Sequence, residues 1–205
     1  MPADLVVLLP DKNFEYGMRG LLSRPNALGM REIRFSIHVH PKRDPGCVKT
    51  SHEILRLFCR DHQYALLMLD KEGSGRESAS TEALELDLRN RLAANGWGNR
   101  AEVIVLNPEL EIWAFAASPH VHRCLGWSKL MSVREWLHQE GLWEEGRPKP
   151  SRPKEALERA LFAERRPRSS SLYQCLGSSV HIAGCNDPAF QRLLAILTAW
   201  FPMGA

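Results

Sequence analysis

Short hydrophobic runs alternate with amphipathic segments along the first half of the chain. Residues 5–9, residues 64–69 and Ala101–Leu106 are apolar runs bounded by turn-forming residues, a pattern typical of buried strands in a parallel sheet. Residues 32–40 instead alternate apolar and polar side chains, as expected of a half-exposed strand near the sheet edge. Pro41 to Gly46 is expected to form a polar loop.

Amphipathic helices are predicted between these strands, at residues 14–22, 49–61 and 81–95, where apolar residues recur at helical spacing. Asn107, Pro108 and Glu109 indicate the start of a further helix, with a capping residue, a proline in the first turn and an acid. The order βαβαβαβα predicts an α/β fold with a mostly parallel sheet flanked by helices.

The pattern changes after Trp127. Helices are predicted near residues 133–141, 154–163, 170–176 and 188–200, and proline-rich links such as residues 146–153 separate them. We therefore predict an α/β core over residues 1–127 and a C-terminal helical extension over residues 128–205 that packs on it.

Composition is that of a globular chain with one well-buried core. Of 205 residues, 44% are hydrophobic and 25% are charged, which excludes a disordered chain. The net charge of +3 is too small to indicate nucleic-acid binding by itself, but the basic residues cluster on the C-terminal side.

Cellular location is predicted from what the sequence does not contain. No apolar run approaches the roughly 20 residues needed to span a bilayer, and the first residues lack the basic start of a signal peptide. A cytoplasmic protein is therefore expected. The five cysteines are scattered and none forms a C-x-x-C pair, so reduced thiols are expected rather than a disulfide framework or a thiolate metal site.

Carboxylates follow three of the predicted strands. Asp11 comes after the first run, Asp70 and Glu72 end the central run, and Glu111 follows the last strand closely. Carboxyl ends of parallel strands meet at one edge, where ligands of open α/β sheets bind, and Mg²⁺ prefers oxygen ligands. Each acid alone could simply cap a helix or lie in a solvated loop, but the combination favours a divalent-metal site.

Glu15 and Glu109 are two further acids in these segments. Glu15 lies four residues after Asp11 at a helix start, a spacing that lets both carboxylates share one face. Glu111 lies among apolar residues that should anchor the segment and aim its charge. Glu109 is the weaker candidate ligand because an exposed acid is expected near a helix tip.

These motifs resemble those of TOPRIM-like proteins. A strand, Asp11, three residues and Glu15 before an apolar helix resemble the family opening, usually Glu-Gly-x-x-Glu. The strand ending in Asp70-Lys-Glu72-Gly resembles the family's Asp-x-Asp element. Pro108-Glu-Leu-Glu111-Ile-Trp resembles an acid-tryptophan motif of small TOPRIM-like proteins from bacterial defence loci. The whole chain resembles a component of methylation-associated phage-defence systems, and the core resemblance covers residues 1–120.

The resemblance implies a TOPRIM-like fold and an antiphage role as a Mg²⁺- or Mn²⁺-dependent nuclease, or nuclease-like subunit, that hydrolyses phosphodiesters. Asp70 and Glu72 would be the main metal ligands, Asp11 a ligand or general base, Glu111 an additional ligand and Glu15 a supporting catalytic residue. Asp11 stands where the family has glutamate, and Glu72 where it has aspartate. A noncatalytic interaction subunit of the defence complex is the alternative.

Basic residues supply candidates for phosphate or nucleic-acid binding. Arg43, which shares a supporting role with Asp44, and Arg76 follow strands, whereas Lys154 and Arg168 belong to a basic segment that ends in three serines. Ordinary turns and a solvated linker are the alternatives. Nucleic acid and other defence-system subunits are the expected partners. Phosphoryl transfer on a small nucleotide is a third possibility, and a zinc site at the paired histidines would need further ligands.

Overall fold

A computed structural model of the protein describes residues 2–182 and 185–204. Within them, four parallel strands form one sheet in the order β2-β1-β3-β4. The strands are β1 Ala3–Leu9, β2 Phe35–Val39, β3 His62–Asp70 and β4 Ala101–Leu106. The α/β fold with a parallel sheet, predicted from the alternation of strands and helices, is thereby confirmed.

Burial along the strands follows their positions in the sheet. Residues 4–9 of β1 and 65–69 of β3 are buried, because helices cover both faces of these two central strands. Each residue of β2 is only half-buried, as expected of the edge strand that its alternating pattern predicted. Leu66 pairs with Val7 and Val103 pairs with Leu67, so the central strands are in register.

Helices follow the strands and then continue alone to the C-terminal end. No helix in the described part of the chain is both long and apolar enough to cross a membrane. The helices are α1 Lys12–Leu22, α2 Pro25–Leu28, α3 Arg43–Arg56, α4 Thr81–Leu92, α5 Pro119–Leu125, α6 Val133–Gln139, α7 Pro153–Ala163, α8 Ser170–Ser179 and α9 Pro188–Trp200.

The two faces of the sheet bury different clusters. Alternate residues of β1, such as Val6 and Val7, point to opposite faces. Val6 packs with α3 and α4, whereas Val7 packs with α1 and with the helices of the C-terminal region. The C-terminal helices therefore share a hydrophobic cluster with the sheet.

Helix α8 packs closely on α1 through glycines. A Cβ atom added to Gly177 would lie 2.2 Å from the carbonyl oxygen of Gly17, and one added to Gly20 would lie 2.7 Å from that of Gln174. Only glycine allows the two backbones to approach this closely. This contact fixes α8 beside the start of α1, which follows the carboxyl end of β1.

Helix α3 begins earlier than predicted, because Arg43 to Gly46 are helical rather than a polar loop. The side chain of His40 stabilises this start: its Nδ1 accepts a hydrogen bond from the backbone N–H of Lys42 at 3.1 Å. Gly46 leaves space for the imidazole, since a Cβ there would lie 2.1 Å from Nδ1. The helix is kinked at Thr50, where φ is −134°.

The segment after β4 also differs from the prediction. Instead of a helix capped by Asn107, the structure has a cis Asn107–Pro108 peptide and a 3₁₀ helix over Leu110–Phe115. Asp70 at the end of β3 accepts a hydrogen bond from the backbone N–H of Leu110 at 2.7 Å. The 3₁₀ helix is thus held by a side chain from a neighbouring strand, a contact that local sequence does not reveal.

Cys124 and Cys175 form a disulfide, so the expectation that all five cysteines are reduced thiols was wrong. The two residues are 51 positions apart and meet because α5, which was not predicted, packs against α8. Their spacing in the sequence gives no sign of this contact. Cys47, Cys59 and Cys185 are free.

Candidate functional site

Three aspartates converge at the carboxyl edge of the sheet. Strand β1 lies between β2 and β3. The chain passes from β1 to β2 on one side of β1, and β3 then pairs with β1 on the other side. This reversal makes the gap between β1 and β3 the place where open α/β sheets bind ligands. Asp11 follows β1, Asp70 ends β3, and Asp44 lies in the first turn of α3.

Asp44 and Asp70 are joined through the backbone. The N–H of Asp70 donates to Oδ1 of Asp44 at 2.8 Å, while Oδ1 of Asp70 accepts the N–H of Leu110 at 2.7 Å. These bonds fix both carboxylates at the strand end. In the described part of the chain, neither carboxylate forms an ion pair with a basic side chain.

Burial and like charges raise the pKa of both aspartates. For Asp70, burial raises the pKa well above its ordinary value, and the carboxylates of Asp44, Glu111 and Glu109 raise it further. For Asp44, burial chiefly raises the pKa to about 6, with a contribution from Asp11. Negative charge is therefore unfavourable at this edge unless a proton or a cation is bound.

Asp11 lies at the rim of the group. Its Oδ1 caps α1 by accepting the N–H groups of Asn13 at 2.8 Å and Phe14 at 3.0 Å. The capping role, which was the alternative interpretation, is therefore real, yet the carboxylate still lies near enough to Asp44 to raise its pKa. Asp11 also lines an open cleft with Lys12 and Arg43.

Glu111 forms an ion pair and a hydrogen bond with residues of the C-terminal region. It is 2% exposed, and its Oε1 accepts hydrogen bonds from the Tyr173 hydroxyl and from Nη2 of Arg168, both at 2.5 Å. Nε of Arg168 also donates to the Tyr173 oxygen at 2.8 Å, and Nη1 donates to Glu158 at 3.1 Å. Burial and the carboxylate of Glu111 raise the pKa of Tyr173, so its hydroxyl remains a donor.

Glu15 and Glu72 lie in different surroundings. Glu15 is buried and forms ion pairs with Lys12 at 2.6 Å and Arg19 at 2.9 Å. Glu72 is exposed, and its side chain forms no hydrogen bond or ion pair with the described residues. The structure thus brings Asp11 and Asp70 of the predicted set to one group, with Glu111 adjacent to Asp70.

The predicted phosphate-binding residues are used in different ways. Arg168 is engaged with Glu111, and Arg76 pairs with Asp87 at 3.4 Å. Lys154 is exposed, and its backbone N–H donates to Glu109 at 3.0 Å. Arg43 is exposed at the cleft, has a φ of 49° and makes no ion pair with the described residues.

Sequence reasoning gave too small a role to Asp44 and Glu109. The sequence indicates only a supporting role for Asp44 and Arg43 alike, because it predicts an ordinary turn with solvated charges there. Glu109 was considered an exposed acid, yet it is half-buried and burial raises its pKa. The available signal was the position of Asp44 directly after Arg43, but the contact of Asp44 with β3 depends on tertiary packing.

The aspartates suit a hard cation that keeps part of its coordination for other ligands. Among residues 2–182 and 185–204, no three His, Cys, Asp or Glu side chains are grouped so that they could hold a metal ion. Mg²⁺, however, is commonly bound by one or two carboxylates together with waters and substrate phosphates. Asp44 and Asp70, which are half-buried and form no ion pair in the described structure, match that kind of donor set.

Comparison of the chain with known protein families, with curated proteins and with solved structures found no match.

Proposed function

We propose that the protein is a TOPRIM-like component of a bacterial antiphage defence system and acts on phosphodiesters with a bound divalent cation, Mg²⁺ or Mn²⁺. The observation that carries this proposal is the half-buried pair of Asp44 and Asp70 at the switch point of the sheet. Burial raises the pKa of both carboxylates, and the charge of Asp44 raises that of Asp70 further. Neither carboxylate forms an ion pair in the described structure, so the pair favours a cation.

Asp44 and Asp70 would hold the cation, and Asp11 would face it from the rim. When bound, the cation supplies positive charge that stabilises the phosphate during hydrolysis. The N–H groups of Asp70 and Leu110 hold the two aspartates in place, so little reorganisation is needed. Asp11 is the residue of this group that is open to the cleft and can orient a water or a substrate.

Arg43 would bind the substrate phosphate. The Arg43 side chain is exposed beside the cleft, and Arg43 directly precedes Asp44 in the sequence. Arginine matches phosphate geometry through paired N–H groups. Lys12 lines the same cleft but already pairs with Glu15, so it would contribute mainly to the local positive field.

A noncatalytic interaction subunit of the defence complex is the second candidate. The observation that favours it is the neutralisation of Glu111 by Arg168 and Tyr173, which makes this predicted metal ligand part of a structural contact. Glu72 is exposed as well. In this case the acidic edge would serve to attach the C-terminal helices to the sheet.

A nuclease assay with Mg²⁺ or Mn²⁺ on single-stranded and double-stranded substrates tests the first proposal. Asp70→Asn keeps the hydrogen-bond acceptor but removes the charge, whereas Asp61→Asn makes the same change at an exposed position. Loss of cleavage in Asp70→Asn alone supports the proposal. Equal cleavage by both variants contradicts the site, and no cleavage by the wild type together with stable capture of partner subunits favours the second candidate.

A further inference from the structure

A second cluster of basic and hydroxyl groups lies in a groove between α5, α7 and α8. Arg123 and Arg166 line it together with Ser169 and Ser171. Both arginines are exposed, and neither guanidinium forms a hydrogen bond or an ion pair with the residues that the structure describes. This arginine-serine groove therefore presents two positive charges that the fold itself does not use.

Arg166 is seated on a glycine. Gly126 ends α5 in the left-handed conformation, with a φ of 67°, and a Cβ there would lie 2.3 Å from Cζ of Arg166. The backbone N–H of Arg166 donates to the carbonyl of Leu161 at 2.9 Å. The position of the guanidinium is thus defined by the backbone of α5 and the end of α7.

The disulfide braces the two walls of the groove. Cys124 follows Arg123 on α5, and Cys175 lies on α8, the helix whose first turn contains Ser171. Ser169 precedes α8 without capping it through its side chain, and its hydroxyl instead lies 2.8 Å from that of Ser171. The covalent bond keeps the arginine wall and the serine wall at a fixed separation.

We propose that the arginine-serine groove binds a phosphate group of a nucleic-acid strand. Guanidinium groups bind phosphate through paired N–H donors, and hydroxyls add hydrogen bonds without reading base identity. Carboxylates would favour a cationic ligand, but none of the described residues that line the groove carries one. The chemistry of the lining is therefore that of an anion site for a group with several acceptor oxygens.

The position of α8 explains why a strand fits better than free phosphate. Ser170, between the two serines of the groove, donates a hydrogen bond to Oδ1 of Asn13 at 3.3 Å. Asn13 lines the cleft of Asp11. A strand with one phosphate in the groove can thus continue across the start of α8 toward the acidic edge. This choice of ligand rests on the proposed function, whereas phosphate binding does not.

Fluorescence polarisation with a labelled single-stranded oligonucleotide, in EDTA and at low salt, tests the proposal. The double variant Arg123→Gln/Arg166→Gln removes both groove charges. The matched control Arg56→Gln/Arg60→Gln removes two exposed arginines near the end of α3. We expect roughly tenfold or greater weakening in the groove variant, with a salt slope reduced by about 1.4, and less than about twofold weakening in the control.

Equal weakening in the two double variants would indicate bulk charge and overturn the proposal, as would wild-type binding too weak to detect at low salt. Inorganic phosphate serves as a competitor. If the ligand is a nucleic-acid strand, inorganic phosphate should displace the oligonucleotide only at a concentration much higher than that of the oligonucleotide's phosphate groups. Displacement when the two phosphate concentrations are equal would overturn the proposal that the ligand is a strand. Gly126→Ala, which displaces Arg166 without changing charge, should also weaken binding.

The outcome can be separated from that of the proposed nuclease. Asp70→Asn should bind the oligonucleotide at least as tightly as the wild type, because Asp70 does not line the groove and the change removes an acidic group. Retained binding with no cleavage by the wild type would leave the groove standing and remove the nuclease. Retained cleavage with unchanged binding in Arg123→Gln/Arg166→Gln would support the nuclease and overturn the proposed groove.

Discussion

The backbone N–H of Asp70 donates a hydrogen bond to Oδ1 of Asp44, 2.8 Å away, and this bond joins the end of β3 to the start of α3. It holds together two carboxylates whose charges repel. The same contact that organises the acidic edge is therefore a source of instability when no cation is bound. Stability measurements can detect this instability without any knowledge of the substrate.

Asp44→Asn should stabilise the metal-free protein at neutral pH by about 1 to 3 kcal/mol, because asparagine keeps the acceptor for the Asp70 N–H and removes a partly buried charge. The pKa of Asp44 is raised from 3.8 to about 6, so the folded state binds the proton more tightly than the unfolded state. Its contribution to stability therefore falls as pH rises from about 4 to about 6 and is constant above.

Urea denaturation in EDTA across this pH range measures the effect. The advantage of Asp44→Asn over the wild type should be largest above pH 6, should shrink as pH falls from about 6 to about 4, and should disappear below pH 3.8, where Asp44 becomes protonated in the unfolded state as well. Asp61→Asn, at an exposed position, is the control and should show no such trend. A variant that is less stable than the wild type at neutral pH would contradict the electrostatic account.

Millimolar Mg²⁺ or Mn²⁺ should raise the melting temperature of the wild type, since a cation that binds only the folded state stabilises it by mass action. The increase should be absent in Asp70→Asn and in Asp44→Asn, and should persist in Glu72→Gln, because Glu72 is exposed and lacks side-chain interactions with the described residues. Differential scanning calorimetry with and without the ion is the measurement. A shift that is lost in both Glu72→Gln and Asp70→Asn but persists in Asp44→Asn would restore the ligand pair of Asp70 and Glu72 predicted from the sequence.

Arg168→Ala should destabilise the protein by about 3 kcal/mol, because it leaves the carboxylate of Glu111 buried without its cationic partner. Glu111→Gln should cost less, since it removes the charge that requires Arg168. In a double-mutant cycle, the combined variant should therefore be much more stable than the sum of the single changes predicts. Additive effects would show that the two side chains do not interact.

Reduction of the Cys124–Cys175 disulfide should lower stability by about 2 to 4 kcal/mol, as expected for a loop closed by residues 51 positions apart. It should also weaken oligonucleotide binding, because the bond holds the two walls of the arginine-serine groove. Melting curves and polarisation with and without dithiothreitol measure both effects. Cys124→Ser/Cys175→Ser, in which the reductant should have no further effect, is the control.

Parts of the structure that depend on local pattern were predictable, whereas contacts between distant segments were not. The apolar runs and the alternation at the edge strand gave the parallel sheet, and strand ends gave Asp11 and Asp70. Asp44 was missed because a polar loop was expected, and the helical start depends on His40 packing against Gly46. The partners of Glu111 come from residues more than 50 positions away, which spacing along the chain does not indicate.

Gly177→Ala should destabilise the protein by about 2 kcal/mol or more, because its Cβ would lie 2.2 Å from the carbonyl oxygen of Gly17 and force α8 away from α1. Since α8 contains Tyr173 and Ser170, a displaced helix should also loosen the Glu111 contact and weaken oligonucleotide binding. Gly141→Ala controls for the loss of a glycine, because a Cβ there has no neighbour within 4 Å, although its φ of 72° adds a modest cost of its own. Gly177→Ala should therefore reduce both urea resistance and binding, whereas Gly141→Ala should reduce only the first, and slightly. Unchanged binding in a folded Gly177→Ala protein would show that the position of α8 on α1 does not control the groove.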